Sequence, residues 1–212
     1  MTGLIVCNGE IKDYSYYKSC FEKADLVICT DGAVRHMSRF GIIPHVLLGD
    51  FDSITPAEYG YFLEQGVKIK KFPVEKDKTD TELAVEYALE EECNEIILIG
   101  AMGTRIDHTL SNIFLLERIV ERGARGWIID EYNKVTLIKN SSITLEKKHD
   151  EFVSLLPLHR EAGGISTKGL YYPLDNDRLT ASTSRGISNE FVENTAQITV
   201  KEGWLLIIKS RD

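Results

Sequence analysis

The chain has 212 residues, of which 43% are hydrophobic and 27% charged, and its formal net charge is −8. This composition is typical of a globular protein, and the length allows a real core in one large domain or two small ones. The acidic charge argues against a surface that binds nucleic acid or anionic membranes. It still allows a phosphorylated small molecule, provided that a metal ion lies between the phosphates and the acidic side chains.

Residues 1–130 alternate short apolar runs with amphipathic stretches. The apolar runs, which are predicted strands, lie at 4–7, 26–29, 46–48, 67–70, 95–100 and 127–130. The stretches 80–92 and 107–122 are predicted helices. The apolar face of the second helix is formed by Leu110, Ile113, Phe114 and Ile119. Strands that are buried on both faces and separated by helices predict a mostly parallel α/β sheet with helices on both faces.

From residue 131 onwards the sequence changes to short, β-rich runs such as "KVTLIK", "SSITLEKK", "EFVSLLPL", "AQITV" and "WLLIIKS". Turn signals separate them at Lys139-Asn140-Ser141, Gly163-Gly164 and Asp175-Asn176-Asp177. The pattern predicts a small antiparallel β domain with a thin core. Its strands carry apolar residues that need cover, among them Phe152, Val153, Leu155 and Ile207. We therefore expect it to pack on the first domain or on a second copy of itself.

The cysteines and the amino terminus indicate where the protein resides. None of Cys7, Cys20, Cys29 and Cys93 forms a C-x-x-C pair, and two of them lie in apolar runs. We predict buried, reduced thiols. The start "MTGLIVCNGE" lacks the basic region of a signal peptide, and no apolar run reaches the length of a membrane span. We therefore expect a cytoplasmic protein.

Acidic side chains follow four of the predicted strands. Asp31 follows the second strand, Asp50 and Asp52 the third, Asp80 comes a few residues after the fourth, and Asp107 after the fifth. In open α/β sheets, ligands bind beyond the carboxyl ends of the strands. We therefore expect these carboxylates to converge on one edge of the sheet.

Helix capping is the alternative explanation for single acids at this edge. Asp31 and Asp107 could each cap the helix that follows. Asp80 could lie in a first turn behind a capping box of Thr79 and Glu82.

The pair Asp50 and Asp52, in "LLGDFDSI", is harder to explain by capping. In an extended segment, side chains two residues apart point the same way. Two close carboxylates each raise the pKa of the other unless a cation lies between them. Mg²⁺ is the natural cation, since proteins hold it with one or two carboxylates plus substrate phosphates. The pair therefore predicts a Mg²⁺ site.

Basic residues are interleaved with the acids in two of the same loops. Lys76 and Lys78 precede Asp80, and Arg105 lies between "GAMGT" and Asp107. Such side chains can clamp phosphates, and glycines before a helix can seat one. The alternatives are a solvated loop for the two lysines and a surface ion pair for Arg105. The chain contains no G-x-x-x-x-G-K-[ST] motif, so we expect no P-loop chemistry.

Five motifs in order resemble those of the thiamin pyrophosphokinase family. They are "TDGA" (30–33), "GDFDS" (49–53), "EKDKTDTE" (75–82), "GAMGTRIDHTLSN" (100–112) and "STSRGISN" (182–189). The resemblance implies a Rossmann-like nucleotide- and Mg²⁺-binding catalytic domain at 1–130. It also implies a β-sandwich domain at 131–212 for thiamin binding and dimerisation. The implied reaction turns ATP and thiamin into AMP and thiamin diphosphate, in a homodimer with active sites at the subunit interface.

The resemblance also implies roles for individual residues. The implied catalytic residues are Asp50, Asp52, Asp80 and Asp107, and the first three of these would hold Mg²⁺. The implied nucleotide-binding residues are Asp31, Lys76, Lys78, Thr79, Arg105, His108 and Asn112. The implied thiamin-binding residues are Ser182, Thr183, Ser184 and Asn189.

One departure from the family concerns the aromatic residue that stacks on thiamin. Some relatives carry an aromatic just after the "STS" segment, where this chain has Arg185-Gly186-Ile187. Trp204 lies in a strand-like run and is predicted to belong to the core. The stacking partner therefore stays open.

Three other functions fit part of the same pattern. The nearest is a pyrophosphokinase for another small alcohol, such as a hydroxymethylpterin. The second is a nucleotide-sugar transferase that uses the D-x-D pair for its metal and releases a nucleoside diphosphate. The third is a nucleotide sensor that binds metal and nucleotide without transfer.

Overall fold

The computed structural model describes residues 1–73, 75, 77–148 and 150–212. They form two compact units, Met1–Glu131 and Tyr132–Asp212. Within the described residues, no helix is both long enough and apolar enough to cross a membrane. The assignment of a separate function to each part of the chain stays a prediction.

The first unit contains a parallel sheet. Its strands are β1 (Thr2–Val6), β2 (Leu26–Thr30), β3 (Val46–Gly49), β4 (Lys68–Lys71), β5 (Glu95–Ile99) and β6 (Arg125–Ile129). Its α-helices are α1 (Lys18–Lys23), α2 (Val34–Phe40), α3 (Pro56–Glu64), α4 (Asp80–Glu90) and α5 (Ile106–Glu121). The strand order is β6-β5-β1-β2-β3-β4, with all neighbours parallel. The mostly parallel α/β sheet predicted from the sequence is confirmed.

The central strands are buried on both faces because their sequences are continuous apolar runs. Four successive residues are buried in each of β1, β2, β3 and β5, so helices and loops must cover both sides of the sheet. β4, with the sequence KIKK, is partly exposed and lies at the edge of the sheet. Its lysines suit an edge strand, since charge there disfavours pairing with another chain.

The start of α4 forms only half of the predicted capping box. Thr79 is the N-cap, and its hydroxyl accepts a hydrogen bond from the backbone N–H of Glu82 at 3.2 Å. The Glu82 carboxylate instead accepts a hydrogen bond from Arg118 on α5 at 2.9 Å. A complete capping box, with both of its hydrogen bonds, forms at the start of α3 between Thr55 and Glu58.

The start of α5 differs from the sequence prediction. The N-cap residue is Arg105, without a side-chain cap, and the helix begins at Ile106. Asp107 therefore lies in the first turn, and the alternative explanation that it caps the helix is wrong. A carboxylate in a first turn still interacts favourably with the helix dipole.

The predicted apolar face of α5 is only partly buried. Ile119 is in the core, whereas Leu110 and Phe114 face solvent. Together with Ile106 they form a row at intervals of four residues, with 67%, 46% and 55% of Ile106, Leu110 and Phe114 exposed. We call these three residues the α5 stripe. The helix therefore has two apolar faces, of which the unit itself covers one.

The second unit consists of two antiparallel sheets. Its strands are β7 (Asn133–Lys139), β8 (Ser142–Glu146), β9 (Phe152–Pro157), β10 (Glu161–Lys168), β11 (Asp177–Thr180), β12 (Asn189–Glu190), β13 (Thr195–Thr199) and β14 (Trp204–Ser210). In one sheet the order is β12-β9-β14-β7, and in the other it is β11-β10-β13-β8. Residues of both sheets share one apolar core, which makes the unit a β-sandwich.

The sandwich buries most of the apolar residues that the sequence analysis expected to need external cover. Val153, Leu155 and Ile207 are at most 2% exposed within this core. The expectation that they require another domain or a second copy is wrong, because two small sheets packed face to face cover each other.

The predicted turn at Gly163-Gly164 is also wrong. Both glycines lie inside β10, where the pairing with β11 shifts register between Gly163 and Ile165. Gly164 has a φ of +63°, in the left-handed region. The two glycines therefore mark a β-bulge that bends a continuous strand.

Candidate active site

Adjacent strands bring three carboxylates together at the carboxyl edge of the parallel sheet. β2 and β3 are neighbours, so Asp31 and Asp50, which follow them, emerge side by side. One ligand oxygen from each of Asp31, Asp50 and Asp52 lies within 4.8 Å of the other two. We call these residues the carboxylate cluster. A set of hard oxygen donors this close together is suited to a cation such as Mg²⁺.

The local geometry of the Asp50–Asp52 pair differs from the extended segment expected from the sequence. Phe51 has a φ of +66°, a left-handed conformation that is rare for a bulky residue. The backbone N–H of Asp52 donates to Asp50 Oδ1 at 3.1 Å, which closes a tight turn. The two carboxylates therefore meet through a strained turn rather than through strand alternation, and such strain is typical of functional sites.

Asp31 is the most buried member of the cluster. Its carboxylate accepts hydrogen bonds from the backbone N–H groups of Gly32 and Phe51. Burial, together with the negative charge of Asp80, nevertheless raises the pKa of Asp31 to about 6. A bound cation would therefore stabilise the ionised form of Asp31, which burial and the neighbouring carboxylate disfavour.

The predicted Mg²⁺ ligands were Asp50, Asp52 and Asp80. Two of these belong to the carboxylate cluster, and Asp31 is its third member. Asp80 lies at the start of α4 and lines the same cleft. Its position as a direct ligand stays a prediction.

Gly49 permits the close approach of Asp31 to β3. A Cβ atom at Gly49 would lie 2.6 Å from Asp31 Cγ, far inside van der Waals contact. Any larger residue at this position would displace either the carboxylate or the strand end, so the glycine is part of the site.

The cluster opens into a cleft of about 850 Å³ in the first unit. Of the residues predicted to act in catalysis or to bind nucleotide, those that line the cleft are Asp31, Asp50, Asp52, Thr79, Asp80, Arg105, His108 and Asn112. Asn112 is buried, and its Nδ2 donates to the backbone carbonyl of Ala101 at 2.6 Å. Asn112 therefore holds the loop after β5, and this contact gives it a structural role in the cleft wall.

Two backbone segments at the cleft were missed in the sequence analysis. The backbone N–H of Gly9 donates to the carbonyl of Gly100 at 2.7 Å, and a Cβ atom at Gly9 would meet that oxygen at 2.3 Å. The loop after β1 and the loop after β5 therefore pack backbone against backbone. The Asn8-Gly9 dipeptide, a turn signal directly after a strand, could have indicated this wall.

The buried side chain of His36 holds the loop after β1 in place. His36 Nε2 donates to the carbonyl of Gly9 at 2.9 Å, and Nδ1 is 2.7 Å from the hydroxyl of Tyr14. Burial lowers the pKa of His36, which favours the neutral ring, and a neutral ring can make both contacts. Its nearest partners lie 22 and 27 residues away in sequence, so local sequence patterns gave no sign of it.

Of the predicted phosphate-binding residues, Arg105 lines the cleft and Lys78 does not. Arg105 lines the cleft and pairs with Asp107, with 2.6 Å between Nη2 and Oδ2. This ion pair holds the pKa of Asp107 below its usual value. Lys78 instead forms an ion pair of 2.8 Å with Glu86 on α4 and does not line the cleft. Lys76 lies outside the described residues.

The second unit contains a smaller pocket of about 240 Å³. It is lined by Leu155, Tyr172, Pro173, Leu174, Arg185, Gly186, Ile187 and Asn189. Of the four predicted thiamin-binding residues, Asn189 lines it, whereas Ser182, Thr183 and Ser184 lie in the exposed loop before it. Trp204 is buried, as predicted, with Lys139 Nζ over its ring at 4.3 Å.

Comparison with known proteins identifies the family. Residues 17–128 match the family model of the thiamin pyrophosphokinase catalytic domain, and residues 140–205 match that of the thiamin pyrophosphokinase vitamin B1 binding domain. The chain is also 32% identical to the thiamine pyrophosphokinase of Bacillus subtilis over 173 residues, 81% of each protein. The chain belongs to the thiamin pyrophosphokinase family.

Other thiamin pyrophosphokinases agree in sequence and fold. Thiamin pyrophosphokinase 1 of Caenorhabditis elegans is 27% identical over 202 residues, 90% of this chain and 80% of that protein. The crystal structure of the Bacillus subtilis thiamine pyrophosphokinase superposes with a TM-score of 0.89 at 30% identity and covers all of both chains. The carboxylate cluster lies in the part matched by the catalytic-domain model, and the smaller pocket lies in the part matched by the vitamin B1 binding model.

Proposed function

We propose that this chain transfers a pyrophosphoryl group from ATP to the hydroxyl of thiamin and releases AMP and thiamin diphosphate. The carboxylate cluster, at the mouth of a parallel sheet and within the catalytic-domain match, is the observation that carries this proposal. An acidic site suits both substrates, since ATP enters with a divalent cation and thiamin is itself a cation.

Asp31, Asp50 and Asp52 would hold Mg²⁺, because their oxygens converge and burial makes ionisation of Asp31 costly. A bound Mg²⁺ would neutralise negative charge on the polyphosphate. The protein itself supplies positioning and charge rather than covalent chemistry. The walls formed by the loops after β1 and β5 enclose the cleft, and Arg105 at its rim is placed to contact phosphate oxygens.

The transfer breaks one bond and forms one. The hydroxyl oxygen of thiamin attacks the β-phosphorus of ATP, the bond from that phosphorus to the oxygen of the α-phosphate breaks, and AMP leaves. The hydroxyl proton passes to a carboxylate of the cleft, which acts as general base.

Chromatography of the products tests this function directly. Incubation with ATP, Mg²⁺ and thiamin should yield AMP and thiamin diphosphate in equal amounts. Thiamin-independent turnover with a hydroxymethylpterin would favour the other pyrophosphokinase. Release of a nucleoside diphosphate from a nucleotide sugar would favour the glycosyl-type transfer, and binding without any product would favour a sensor.

Arg105→Lys is expected to weaken ATP binding with little effect on thiamin binding. Lysine keeps the charge but loses the planar fork that can contact two phosphate oxygens at once. Calorimetric titration with each substrate measures the two affinities. Lys78→Ala is the matched control, because Lys78 is paired with Glu86 and does not line the cleft. An unchanged ATP affinity in Arg105→Lys would leave Arg105 with only its ion pair to Asp107.

We also propose that the chain forms a homodimer with the active site at the subunit interface. The α5 stripe supports this, since it exposes three apolar side chains on the helix that also carries His108 and Asn112 of the cleft. The dimer was expected to form mainly through the β domain, but the burial of Val153, Leu155 and Ile207 removes the argument for that.

Sedimentation velocity at micromolar concentration should show a dimer for the wild type and a monomer for the double variant Leu110→Glu/Phe114→Glu, because two charges would enter the apolar contact. Leu63→Glu on α3 is the matched control, since Leu63 is 57% exposed and lies outside the α5 stripe. A fully active wild-type monomer would contradict the dimer, and dissociation by Leu63→Glu alone would contradict the assigned surface.

We propose a cytoplasmic location because of the burial of the cysteines. All four are buried, and burial raises the pKa of Cys7 to about 12. Such thiols are poor nucleophiles and stay reduced in a reducing compartment.

A further inference from the structure

We propose that His36, oriented by Tyr14, is a positioning residue for ATP and acts by holding the loop after β1 at the wall of the cleft. This inference rests on the proposed function, since it concerns the substrate that the cleft is proposed to bind. Neither residue belongs to the carboxylate cluster or to the five sequence motifs at 30–33, 49–53, 75–82, 100–112 and 182–189.

The loop after β1 is held by two successive side chains of α2. Arg35 Nη2 donates to the carbonyl of Asn8 at 2.8 Å, and His36 Nε2 donates to the carbonyl of Gly9 at 2.9 Å. Both Asn8 and Gly9 line the cleft. Because α2 follows Asp31 closely in sequence, these bonds set the position of the loop relative to the carboxylate cluster.

The same loop packs directly beside the carboxylate cluster. A Cβ atom at Gly32 would lie 2.4 Å from Asn8 Nδ2, so the Asn8 side chain rests on the glycine that follows Asp31. The backbone N–H of Gly32 donates in turn to Asp31 Oδ1. A displacement of the loop after β1 would therefore alter the cleft next to the proposed cation site, where the polyphosphate of ATP is expected.

Tyr14 determines which nitrogen of His36 carries the hydrogen. A carbonyl oxygen only accepts, so Nε2 must carry the hydrogen that binds Gly9. In the neutral ring, Nδ1 then accepts from the Tyr14 hydroxyl, 2.7 Å away. Arg39 Nη1 donates to the same hydroxyl at 3.2 Å, which leaves the hydroxyl hydrogen for His36. His36 is 3% exposed, so water has little access to replace either bond.

Loss of the bond to Gly9 would affect the binding of an anion to the cleft. Without His36, the carbonyl of Gly9 loses its donor at a partly buried position, which costs free energy. Either the loop shifts to find another donor, or the partial negative charge of the oxygen stays unpaired at the wall. Both results disfavour a polyphosphate there. Thiamin is a cation, and the vitamin B1 binding match lies in the second unit, so its affinity should not change.

Calorimetric titration with ATP and Mg²⁺, and separately with thiamin, tests the role of His36. His36→Ala should weaken ATP binding about fivefold to tenfold, the scale of losing one hydrogen bond, and change thiamin affinity by less than about twofold. His36→Gln keeps an amide donor near the position of Nε2, so its ATP affinity should stay within about twofold of the wild type. Equal losses in His36→Ala and His36→Gln would show that donation to Gly9 has no part in ATP binding.

His45→Ala is the matched control, because the ring of His45 also bonds the backbone of the sheet but at its opposite end. His45 Nδ1 accepts from the backbone N–H of Val27, near the amino end of β2, at 2.9 Å. Loss of this bond should lower the melting temperature and leave ATP affinity unchanged. If His45→Ala weakened ATP binding as much as His36→Ala, both losses would reflect general destabilisation, and the positioning role would be wrong.

A double-mutant cycle tests whether Tyr14 acts through His36. Tyr14→Phe removes the hydroxyl but keeps the ring that packs on Phe40, with 4.8 Å between the ring centroids. It should weaken ATP binding about twofold to threefold, less than His36→Ala, because the imidazole stays in place without its preferred tautomer. The double variant Tyr14→Phe/His36→Ala should bind ATP no more weakly than His36→Ala. Additive losses would overturn the role of Tyr14 in orienting His36.

The outcomes separate this inference from the proposed function. A wild type that makes thiamin diphosphate while His36→Ala keeps its ATP affinity overturns the inference alone. A wild type that transfers nothing to thiamin overturns the proposed function, whatever the His36 variants do. Thermal melting of each variant checks folding. If His36→Ala does not fold, Tyr14→Phe decides, because an unchanged ATP affinity in that variant would contradict the inference.

Discussion

Asp50→Asn and Asp52→Asn are each expected to lower the turnover of ATP and thiamin by at least about 100-fold, the scale of losing one preorganised electrostatic contact. Asn has the same shape as Asp but lacks the charge that a divalent cation requires. The fold should persist, because both residues lie in a turn at the sheet edge rather than in the core. Product chromatography under saturating substrates measures the loss.

Metal binding gives a second measurement that does not depend on turnover. Mg²⁺ should raise the melting temperature of the wild type, since a ligand that binds only the folded state stabilises it. The two variants should lose this shift. In EDTA they should melt no lower than the wild type, because removal of one charge relieves repulsion within the carboxylate cluster.

Asp175→Asn, in an exposed turn of the second unit, is the matched control for the loss of one charge. Near-normal turnover and an intact Mg²⁺ shift in both Asp50→Asn and Asp52→Asn would show that the cluster is not the metal site.

The sheet of the first unit could be predicted because its signal is local. Continuous apolar runs mark β1, β2, β3 and β5, and the rule that ligands bind beyond the carboxyl ends of parallel strands placed Asp31 near Asp50. The β-sandwich was predicted less completely. β10 was hidden by two glycines that were interpreted as a turn signal but form a bulge inside the strand.

The site could be predicted in its composition but not in its geometry. The left-handed turn at Phe51 brings the acids together, and no propensity favours that conformation for phenylalanine. Hydrogen bonds also decide which polar groups are available to a substrate. Lys78 is paired with Glu86, and the amide of Asn189 is bound to the backbone of Tyr172. These partners are eight and 17 residues away, outside the motifs that contain Lys78 and Asn189.

The same limit explains the misassigned face of α5. Periodicity grouped Leu110 with Ile119, although the unit buries only the latter. Hydrophobic spacing shows that a face is apolar, and only the tertiary structure shows whether this chain or another one covers it.

Gly49→Ala is expected to reduce turnover by roughly 100-fold, the loss associated with displacing a catalytic group by about 1 Å. The new methyl carbon would lie 2.6 Å from Asp31 Cγ, so either the Asp31 carboxylate or the end of β3 must move. Asp31 would then leave the distance range at which it can share a cation with Asp50 and Asp52. The Mg²⁺-dependent rise in melting temperature should shrink in parallel.

Gly60→Ala is the matched control for this substitution. It adds the same methyl group within α3, where no atom outside the neighbouring residues and the backbone of the helix itself lies within 4 Å of the added carbon. Alanine is also the better helix former, by about 1 kcal/mol, so this variant should be at least as stable as the wild type and fully active. If Gly49→Ala matched Gly60→Ala in turnover and in Mg²⁺ response, the close packing of Asp31 against the end of β3 would have no part in forming the site. A selective loss in Gly49→Ala would instead make the glycine of "GDFDS" a requirement of the carboxylate cluster itself, since its missing side chain leaves room for the Asp31 carboxylate against the end of β3.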